Sequence, residues 1–371
     1  MDPTLPSQDL VRARTDEHVL RALMQHRRLT RAELATEIGI SKPTAGESVR
    51  RLAERGLVAD TGERTTGGRG RGRVGSYYAL APQIGVALAI AIAPEGVVVE
   101  CLDVYGDTVA RAIKQIDRPA HGSQAAEALT AAAAEVLTAA GQPARLAVVS
   151  AADPVDRATG RLVHLPDSPF LVGELDPVAV LAPHTAGPVI VDNDVNWAAH
   201  AERDAAGDFA YLFLGEGLGC AIVNDGAVRR GHHGLTGEIA HLLTVGPGGR
   251  ATRFIEVFAE MNLRRDSSTA IDVERLLASD AATQAAIGEA VAGVVAALVA
   301  LADPRDIVVG GSWGPTLIDS IQTATVRMPR RIALRPAALT SEPVLAGVRA
   351  EALSRLRSAI TATDRQSQPT K

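Results

Sequence analysis

The sequence predicts an α/β protein of two lobes that is preceded by a winged helix-turn-helix at the N-terminus. Three observations predict this. Two short helical segments joined by a glycine-containing turn lie within residues 30–56. A Gly- and Arg-rich stretch follows them and leads into a strand-like segment. From Pro82 onward, strand-like and helix-like segments alternate, which is typical of chains that pack helices on sheets.

Capping residues define the two helices of the N-terminal module. Thr30 is a predicted N-cap with Glu33 three residues later, which matches a capping box, and Gly39 ends that helix. Ser41 then caps a second helix, with Pro43 in its first turn. Two short helices joined by such a turn form a helix-turn-helix.

The second helix has the properties of a recognition helix, whose N-terminal residues enter the major groove of DNA. We expect arginines further along it, and on the tip of the wing, to contact phosphates or the minor groove. The residues predicted to face base edges are Lys42, Thr44, Ala45 and Ser48. The predicted backbone or minor-groove contacts are Arg50, Arg51, Arg69, Arg71 and Arg73. A generic helical hairpin with a basic linker is the alternative, and the joint occurrence of caps, turn and wing disfavours it.

The charge of the chain is uneven. The 371 residues carry a net charge of −5, but residues 1–80 hold fourteen Arg and Lys against ten Asp and Glu. A basic head on an acidic body suits a DNA-binding module, although a solvated charged surface has a similar composition. Only 3% of residues are aromatic, which disfavours a single-strand binder that stacks bases. With two cysteines, Cys101 and Cys220, and no apolar run long enough to span a bilayer, we expect a cytoplasmic protein without a membrane partner.

The body shows two successive groups of strands and helices with the pattern of two lobes. The first group has strands at 84–93, 96–104, 108–113, 146–150 and 189–191, and helices at 125–139 and 195–203. The second has strands at 209–214, 220–224 and 307–309, and helices near 252–262, 270–278 and 283–302. The expected domains are the head at 1–80, lobes at 81–204 and 205–345, a closing helix at 346–361 on the first lobe, and a disordered tail at 362–371.

This order of elements and three motifs resemble the ROK family of repressors, open reading frames and sugar kinases. The motifs are VDNDVNWAAHAE at 191–202, LGEGLGCAIVNDGAVRRGHHGLTGEIAH at 214–241 and LADPRDIVVGGS at 301–312. The resemblance covers nearly the whole chain. It implies an actin-like, sugar-kinase-type (ribonuclease H-like) fold that holds its ligand between the lobes. In the family's regulators a winged helix-turn-helix precedes this domain, as it does here.

The resemblance also implies which side chains hold a ligand. Family kinases position sugar hydroxyls with an Asn-Asp pair after a strand, the Asp acting as base, and Asn193-Asp194 match that pair. Helix capping is the alternative role for these two residues. Glu238 and His241 match the family's Gly-Glu-x-Gly-His segment, with its second glycine replaced, and Glu256 matches a further sugar-binding Glu.

The phosphate-binding motifs of the family kinases are altered in this sequence. The kinases' Asp-x-Gly-x-Thr hairpin corresponds to AIAPE at 91–95, in which Pro94 also removes a backbone donor. Their Gly-Thr-Gly loop corresponds to Gly215-Glu216-Gly217, and a carboxylate beside a triphosphate is repulsive. Because phosphoryl transfer depends on positioning and electrostatic stabilisation, we expect no catalytic residues and no kinase activity.

Two other chemistries are disfavoured. Family members often bind zinc through the His of the ligand segment and three downstream cysteines, but no cysteine follows His241, so we expect no metal and no cofactor. An unrelated site formed by His232, His233 and His241 is less favoured than histidines in a surface loop. The run GGSWG at 310–314 matches the nucleophile elbow of α/β-hydrolases, but that fold needs a later histidine and none follows Ser312.

Together these features predict a DNA-binding transcription regulator, in the repressor class, with a non-catalytic ligand-binding domain. The expected partners are a double-stranded DNA operator, a sugar or sugar-derived effector, and further copies of the chain in a homodimer or homotetramer. Oligomers are expected because one module buries too little surface for tight specific binding. The alternatives are a residual or bifunctional sugar kinase and a ligand-independent DNA-binding protein.

Overall fold

The computed structural model describes residues 8–65, 75–163, 170–202 and 207–366. The predicted wing-tip residues Arg69, Arg71 and Arg73 lie outside these ranges.

The head is a winged helix-turn-helix, as predicted. Its elements are α1 (Gln8–His26), β1 (Arg28–Thr30), α2 (Arg31–Glu37), α3 (Lys42–Glu54), β2 (Val58–Arg64) and β3 (Ser76–Leu80). The strands form an antiparallel sheet in the order β1-β3-β2, and β2 with β3 forms the wing. Both bonds of the capping box are present between Thr30 and Glu33, and the Ser41 hydroxyl accepts from the backbone N–H of Thr44.

The first lobe is a five-stranded sheet in the order β10-β8-β4-β5-β6, in which β4, β8 and β10 are parallel. Its elements are β4 (Val86–Ala93), β5 (Gly96–Leu102), β6 (Thr108–Lys114), β7 (Ala120–His121), α4 (Gly122–Ala140), β8 (Ala144–Ala151), β9 (Leu171–Val172), α5 (Pro177–Leu181), β10 (Val189–Asn193) and α6 (Asp194–Ala201). Both faces of β4 are buried: Leu88 and Ile90 pack in the core under α4, while Ala87 and Ala89 belong to the core on the opposite face.

The second lobe is built on a sheet in the order β13-β12-β11-β16-β17. Its elements are β11 (Phe209–Leu214), β12 (Leu218–Asn224), β13 (Ala227–Val228), β14 (Leu243–Val245), β15 (Ala251–Arg253), α7 (Phe254–Glu260), α8 (Val273–Leu277), α9 (Ala281–Ala302), β16 (Asp306–Gly310), α10 (Ile318–Thr325) and β17 (Ala333–Pro336). Helix α9 is long and apolar enough to cross a membrane, but Val291 and Val295 are fully buried in the core of this lobe. Each lobe therefore combines antiparallel hairpin strands with parallel strands, as the predicted α/β, actin-like fold requires.

The closing helix, α11 (Pro343–Gln366), returns from the second lobe to the first and packs against α6, β4 and β8. It is longer than the predicted 346–361. Residues 362–366 continue the helix, which corrects their prediction as a disordered tail, whereas residues 367–371 lie outside the described ranges.

The head and the first lobe share one apolar core. Leu20 and Leu23 of α1 are fully buried in the same cluster as Leu356 and Ile360 of α11. Burial of apolar side chains from both units favours a fixed placement of the head on the body.

Polar contacts border this shared core. The Arg27 guanidinium makes two bonds to the Asp107 carboxylate, at 2.6 and 2.8 Å, and lies 5.0 Å from the centre of the Tyr105 ring. On the body, the Nε of Arg357 in α11 donates to the carbonyl oxygen of Val104 at 2.9 Å. The turn between β5 and β6 is therefore held by the head on one side and by the closing helix on the other.

Candidate functional site

A cavity of about 750 Å³ lies between the lobes. Its walls come from the β4–β5 turn, the junction of β10 with α6, the β11–β12 turn and the loop that follows β13. This volume is within the range of sites for small molecules.

The predicted Asn-Asp pair lies where β10 ends, at the carboxyl edge of the parallel strands. The Asn193 side-chain oxygen accepts from the Val195 N–H at 3.0 Å, and its amide group donates to the carbonyl oxygen of Asp153 at 3.4 Å. One Asp194 carboxylate oxygen accepts from the same Val195 N–H at 2.7 Å. Both side chains also line the cavity, so helix capping and a position suited to a ligand coexist at this junction.

Glu238 and His241 are brought to the same cavity by the loop after β13. Gly237 adopts a φ of +99°, and a Cβ atom there would lie 1.7 Å from the carbonyl oxygen of Cys220 on β12. Only glycine allows this loop to run so close to the sheet. The sequence motif and the fold therefore place four predicted ligand residues, Asn193, Asp194, Glu238 and His241, around one space.

Two carboxyl groups of the cavity, those of Asp194 and Glu238, are destabilised in their charged form. Burial, together with the charges of Asp153 and Glu238, raises the pKa of Asp194 to about 7. Burial and the charge of Asp153 likewise raise the pKa of Glu238 to about 7. Near neutral pH each group can therefore either donate a hydrogen bond to a hydroxyl or accept one from it.

Asp153 is a cavity residue that the sequence analysis missed. Its side chain is buried, and it follows the parallel strand β8 by two residues. Loops at the carboxyl ends of parallel strands form the ligand crevice of open α/β sheets, so this position was the available signal.

Glu256 is absent from the residues that the structure describes along the cavity wall. Its carboxylate accepts from Arg264 at 3.0 Å, and nearly half of the side chain, 47%, is exposed. It lies in the first turn of α7, where a local arginine pairs with it, and its contact with a ligand stays a prediction.

Glu216 occupies the loop that corresponds to a phosphate loop. Its carboxylate accepts from Arg265 of the second lobe at 2.6 Å and from Arg118 of the first lobe at 3.3 Å. Arg118 also bonds to Glu95 in the β4–β5 turn at 2.9 Å. This alternating set of charges links the two lobes across the mouth of the cleft.

The structure also shows the surroundings of the glycine turn at 310–314 and of the histidine pair at 232–233. Gly311 adopts a φ of +89° in the turn after β16, and the indole N–H of Trp313 donates to the carbonyl oxygen of Gly215 at 2.9 Å. His232 and His233 are exposed, and their rings meet edge to face, with centres 4.4 Å apart and planes at 75°.

The recognition helix exposes only part of the predicted DNA-binding set. Lys42, Thr44 and Arg50 are exposed, whereas Ala45 and Ser48 are fully buried. The prediction of base contacts for Ala45 and Ser48 is therefore wrong: both lie on the inward stripe of α3, one helical turn before the buried apolar residues.

Arg51 is also turned inward. Its guanidinium bonds to the buried Asp16 carboxylate of α1 at 2.6 and 3.1 Å, and its predicted phosphate contact stays a prediction. Arg50 pairs instead with Glu47 and Glu54 on the exposed face. Glu47 is an exposed residue of this face that the sequence analysis missed, although its position three residues after Thr44 predicts the same side of the helix.

Comparison with known families agrees with both parts of the structure. The model of the ROK family matches residues 104–346, and the model described as winged helix-turn-helix DNA-binding matches residues 12–59. A glucokinase of Halalkalibacterium halodurans is 40% identical over 74 residues, which cover 19% of this chain. The match spans only 22% of the length of that curated relative.

Solved structures share the fold. A ROK family transcriptional regulator, described as a homologue of the E. coli MLC protein, superposes with a TM-score of 0.64 at 17% identity and covers 95% of this chain and 98% of its own. A ROK hexokinase from Thermus thermophilus gives a TM-score of 0.57 at 24% identity and covers 74% of this chain and 99% of its own. Because the family model spans more than half of the residues, the chain belongs to the ROK family and carries an N-terminal winged helix-turn-helix.

Proposed function

We propose that this chain is a cytoplasmic transcription regulator, of the repressor class, whose head binds operator DNA and whose cleft binds a sugar or sugar-derived effector. The observation that carries the proposal is the apolar core shared by the head and the first lobe. A ligand that changes the position of the lobes would move the head, and the two binding events would then be coupled.

The head binds the major groove through the exposed N-terminal half of α3. Lys42 and Thr44 supply donors at its first turn, and Glu47 supplies an acceptor for the amino group of cytosine. The chain acts as a homodimer or a larger homo-oligomer on a site with two-fold symmetry, with half-sites separated by about one helical turn of DNA, roughly 10 base pairs, or a multiple of it.

Selection of bound duplexes from a random DNA pool tests this part of the proposal. We expect enrichment of a palindromic site and weaker binding by Lys42→Ala, whereas Arg355→Ala on the exposed side of α11 serves as the control and binds as the unchanged chain does. Failure to enrich any duplex at low salt, where phosphate contacts are strongest, would contradict DNA binding.

We further propose that the cleft does not catalyse phosphoryl transfer. Glu216 and Glu95 add negative charge where a nucleotide would place its phosphates, and the paired Arg118 and Arg265 are occupied by those carboxylates. The repulsion between a carboxylate and a triphosphate opposes binding in the ground state and in the transition state.

A sugar kinase is the second candidate function, and the similarity to a glucokinase favours it. A coupled assay for ATP consumption in the presence of hexoses separates the two. We expect no turnover above background, with an active ROK glucokinase as the positive control. Sugar-dependent ATP consumption that disappears in Asp194→Asn would establish the kinase function instead.

A further inference from the structure

The wall of the cleft contains a buried hydroxyl group that has no partner among the residues that the structure describes. Tyr211 on β11 is 1% exposed, and its hydroxyl oxygen makes no hydrogen bond to any of them. A hydroxyl buried in this way lowers stability, because it has lost its water partners without replacement. Such a group needs an explanation in its surroundings.

The position of this hydroxyl suggests the explanation. Tyr211 lines the cavity together with Asp194 and Gly310. A Cβ atom on Gly310 would lie 2.1 Å from the Tyr211 hydroxyl oxygen, so the absence of a side chain at this point makes room for the hydroxyl. Burial and the nearby charges of Glu202 and Asp194 raise the pKa of Tyr211 well above its ordinary value. At neutral pH the group is therefore a neutral hydrogen-bond donor.

The charge of the cavity wall restricts what this donor can meet. Among the described residues, one arginine, Arg265, lines the cavity, and it is already bonded to Glu216. The carboxyl side chains that line it are Glu95, Asp153, Asp194, Glu216, Glu238 and Glu274. An added phosphate group would be repelled, whereas the hydroxyls of a neutral sugar can donate to these carboxylates.

We propose that Tyr211 is a ligand-binding residue whose hydroxyl donates to an oxygen atom of an unphosphorylated sugar in the cleft, and that this cleft rejects sugar phosphates. The inference rests on the proposed function of the cleft as a ligand site. It adds a contact from the second lobe to those that the Asn193-Asp194 junction offers on the first lobe, so that one sugar would be held from both lobes.

The variant Tyr211→Phe tests the proposal because it removes one oxygen atom and keeps the ring. We expect the ligand-free variant to melt at the same temperature as the unchanged chain or higher, since an unsatisfied hydroxyl is lost. We expect its affinity for the sugar to fall about five- to tenfold, the effect of one neutral hydrogen bond. Tyr77→Phe, in the head, is the matched control and keeps full sugar affinity.

The probes are D-glucose, D-mannose, D-xylose and N-acetyl-D-glucosamine, each hexose paired with its 6-phosphate, in thermal-shift and calorimetric titrations. We expect at least one free sugar to bind and its phosphate to bind at least tenfold more weakly. The proposal is overturned if Tyr211→Phe binds that sugar with unchanged affinity, if the phosphate binds better, or if none of the free sugars binds.

Operator binding by the same preparations separates this inference from the proposed function. If the chain binds the selected DNA site but none of the sugars, the inference about Tyr211 is refuted and the DNA-binding function stands. If the chain binds the free sugar selectively but does not bind DNA, the proposed regulator function is refuted and the inference about Tyr211 stands.

Discussion

At the residue scale, one buried carboxylate fixes the orientation of the recognition helix. Asp16 of α1 is 4% exposed and accepts bonds from the hydroxyl of Ser48 and the guanidinium of Arg51, both on α3. A buried charge is tolerated only when it is paired and hydrogen-bonded. This network explains why two polar residues of the recognition helix face the core of the head.

Arg51→Ala should destabilise the head because it leaves the Asp16 carboxylate buried with a single remaining partner. We expect a loss of about 2 kcal/mol, below the range for a fully buried pair because Arg51 keeps 24% of its side chain exposed. The free energy of unfolding is measured by urea denaturation that is monitored through a spectroscopic signal from the head. Arg50→Ala, whose exposed ion pairs contribute little, is the control, and equal unfolding midpoints for the two variants would contradict the role of Arg51.

The cleft carboxyls should make stability depend on pH. The pKa values of Asp194 and Glu238 are raised to about 7 in the folded chain, whereas unfolded carboxyls titrate near pH 4. The folded state therefore binds more protons between these values. The stability that these groups contribute is fully present below pH 4 and is lost as the pH rises through 7.

The double variant Asp194→Asn, Glu238→Gln should abolish this loss. We expect the unchanged chain to lose about 5 kcal/mol more than the variant between pH 5 and pH 8, since each carboxyl contributes roughly 2.5 kcal/mol, measured by denaturation at each pH. Glu127→Gln, exposed on α4, should keep the full dependence. Parallel curves for the double variant and the unchanged chain would show that these carboxyls are not the titrating groups.

At the element scale, local signals predicted the helices and strands that carry their own caps and apolar stripes. The capping box at Thr30 and the wing strand β3 follow directly from side-chain chemistry. The first turns of α1 carry no such signal, because Leu10 and Val11 are exposed there and give no inward stripe. Ala45 and Ser48 were assigned to the wrong face because small side chains do not mark a buried surface.

Long-range packing decided the features of the site that the sequence did not reveal. Asn193 and Glu238 could be assigned from their motifs, but the approach of Asp153 and Tyr211 to the same cavity depends on how the two sheets face each other. The pairing of Glu256 with Arg264 likewise depends on the course of the chain after α7.

The contact between α6 and α11 should depend on a single glycine. A Cβ atom on Gly347 would lie 1.9 Å from the carbonyl oxygen of Trp197, whose backbone cannot move without shifting the start of α6. We therefore expect Gly347→Ala to destabilise the chain by about 1 to 3 kcal/mol, despite the higher helix propensity of alanine. Thermal denaturation measures this, and Ser354→Ala, exposed on the same helix, should be neutral or slightly stabilising. An increase in melting temperature for Gly347→Ala would contradict the packing.

At the scale of the whole molecule, a continuous set of packed elements runs from the cleft to the DNA-binding head. Asp194 begins α6, α6 packs against α11, and α11 shares its core with α1. The Arg27–Asp107 pair borders the last of these contacts. In the proposed function, DNA and ligand would therefore act on one arrangement of packed helices, which is the physical requirement for coupling.

Arg27→Asp should weaken that coupling without removing either binding event. We expect the sugar to change DNA affinity at least threefold less in this variant than in the unchanged chain, because like charges now separate the head from the β5–β6 turn. The exchanged pair, Arg27→Asp with Asp107→Arg, should restore the effect. Arg229→Ala, in an exposed ion pair of the second lobe, is the control. DNA titrations with and without the sugar measure the ratio, and an unchanged ratio in Arg27→Asp would exclude this contact from the coupling.

The order in which the chain is synthesised gives the closing helix a further consequence. The head ends at Leu80, whereas the helix on which it sits begins at Pro343. At translation rates of 5–20 residues per second, the head leaves the ribosome roughly 10 to 50 s before this helix is synthesised. During this interval the apolar side of α1 is open to chaperones and to other nascent chains. A newly made head can therefore meet DNA before the coupling proposed above can exist.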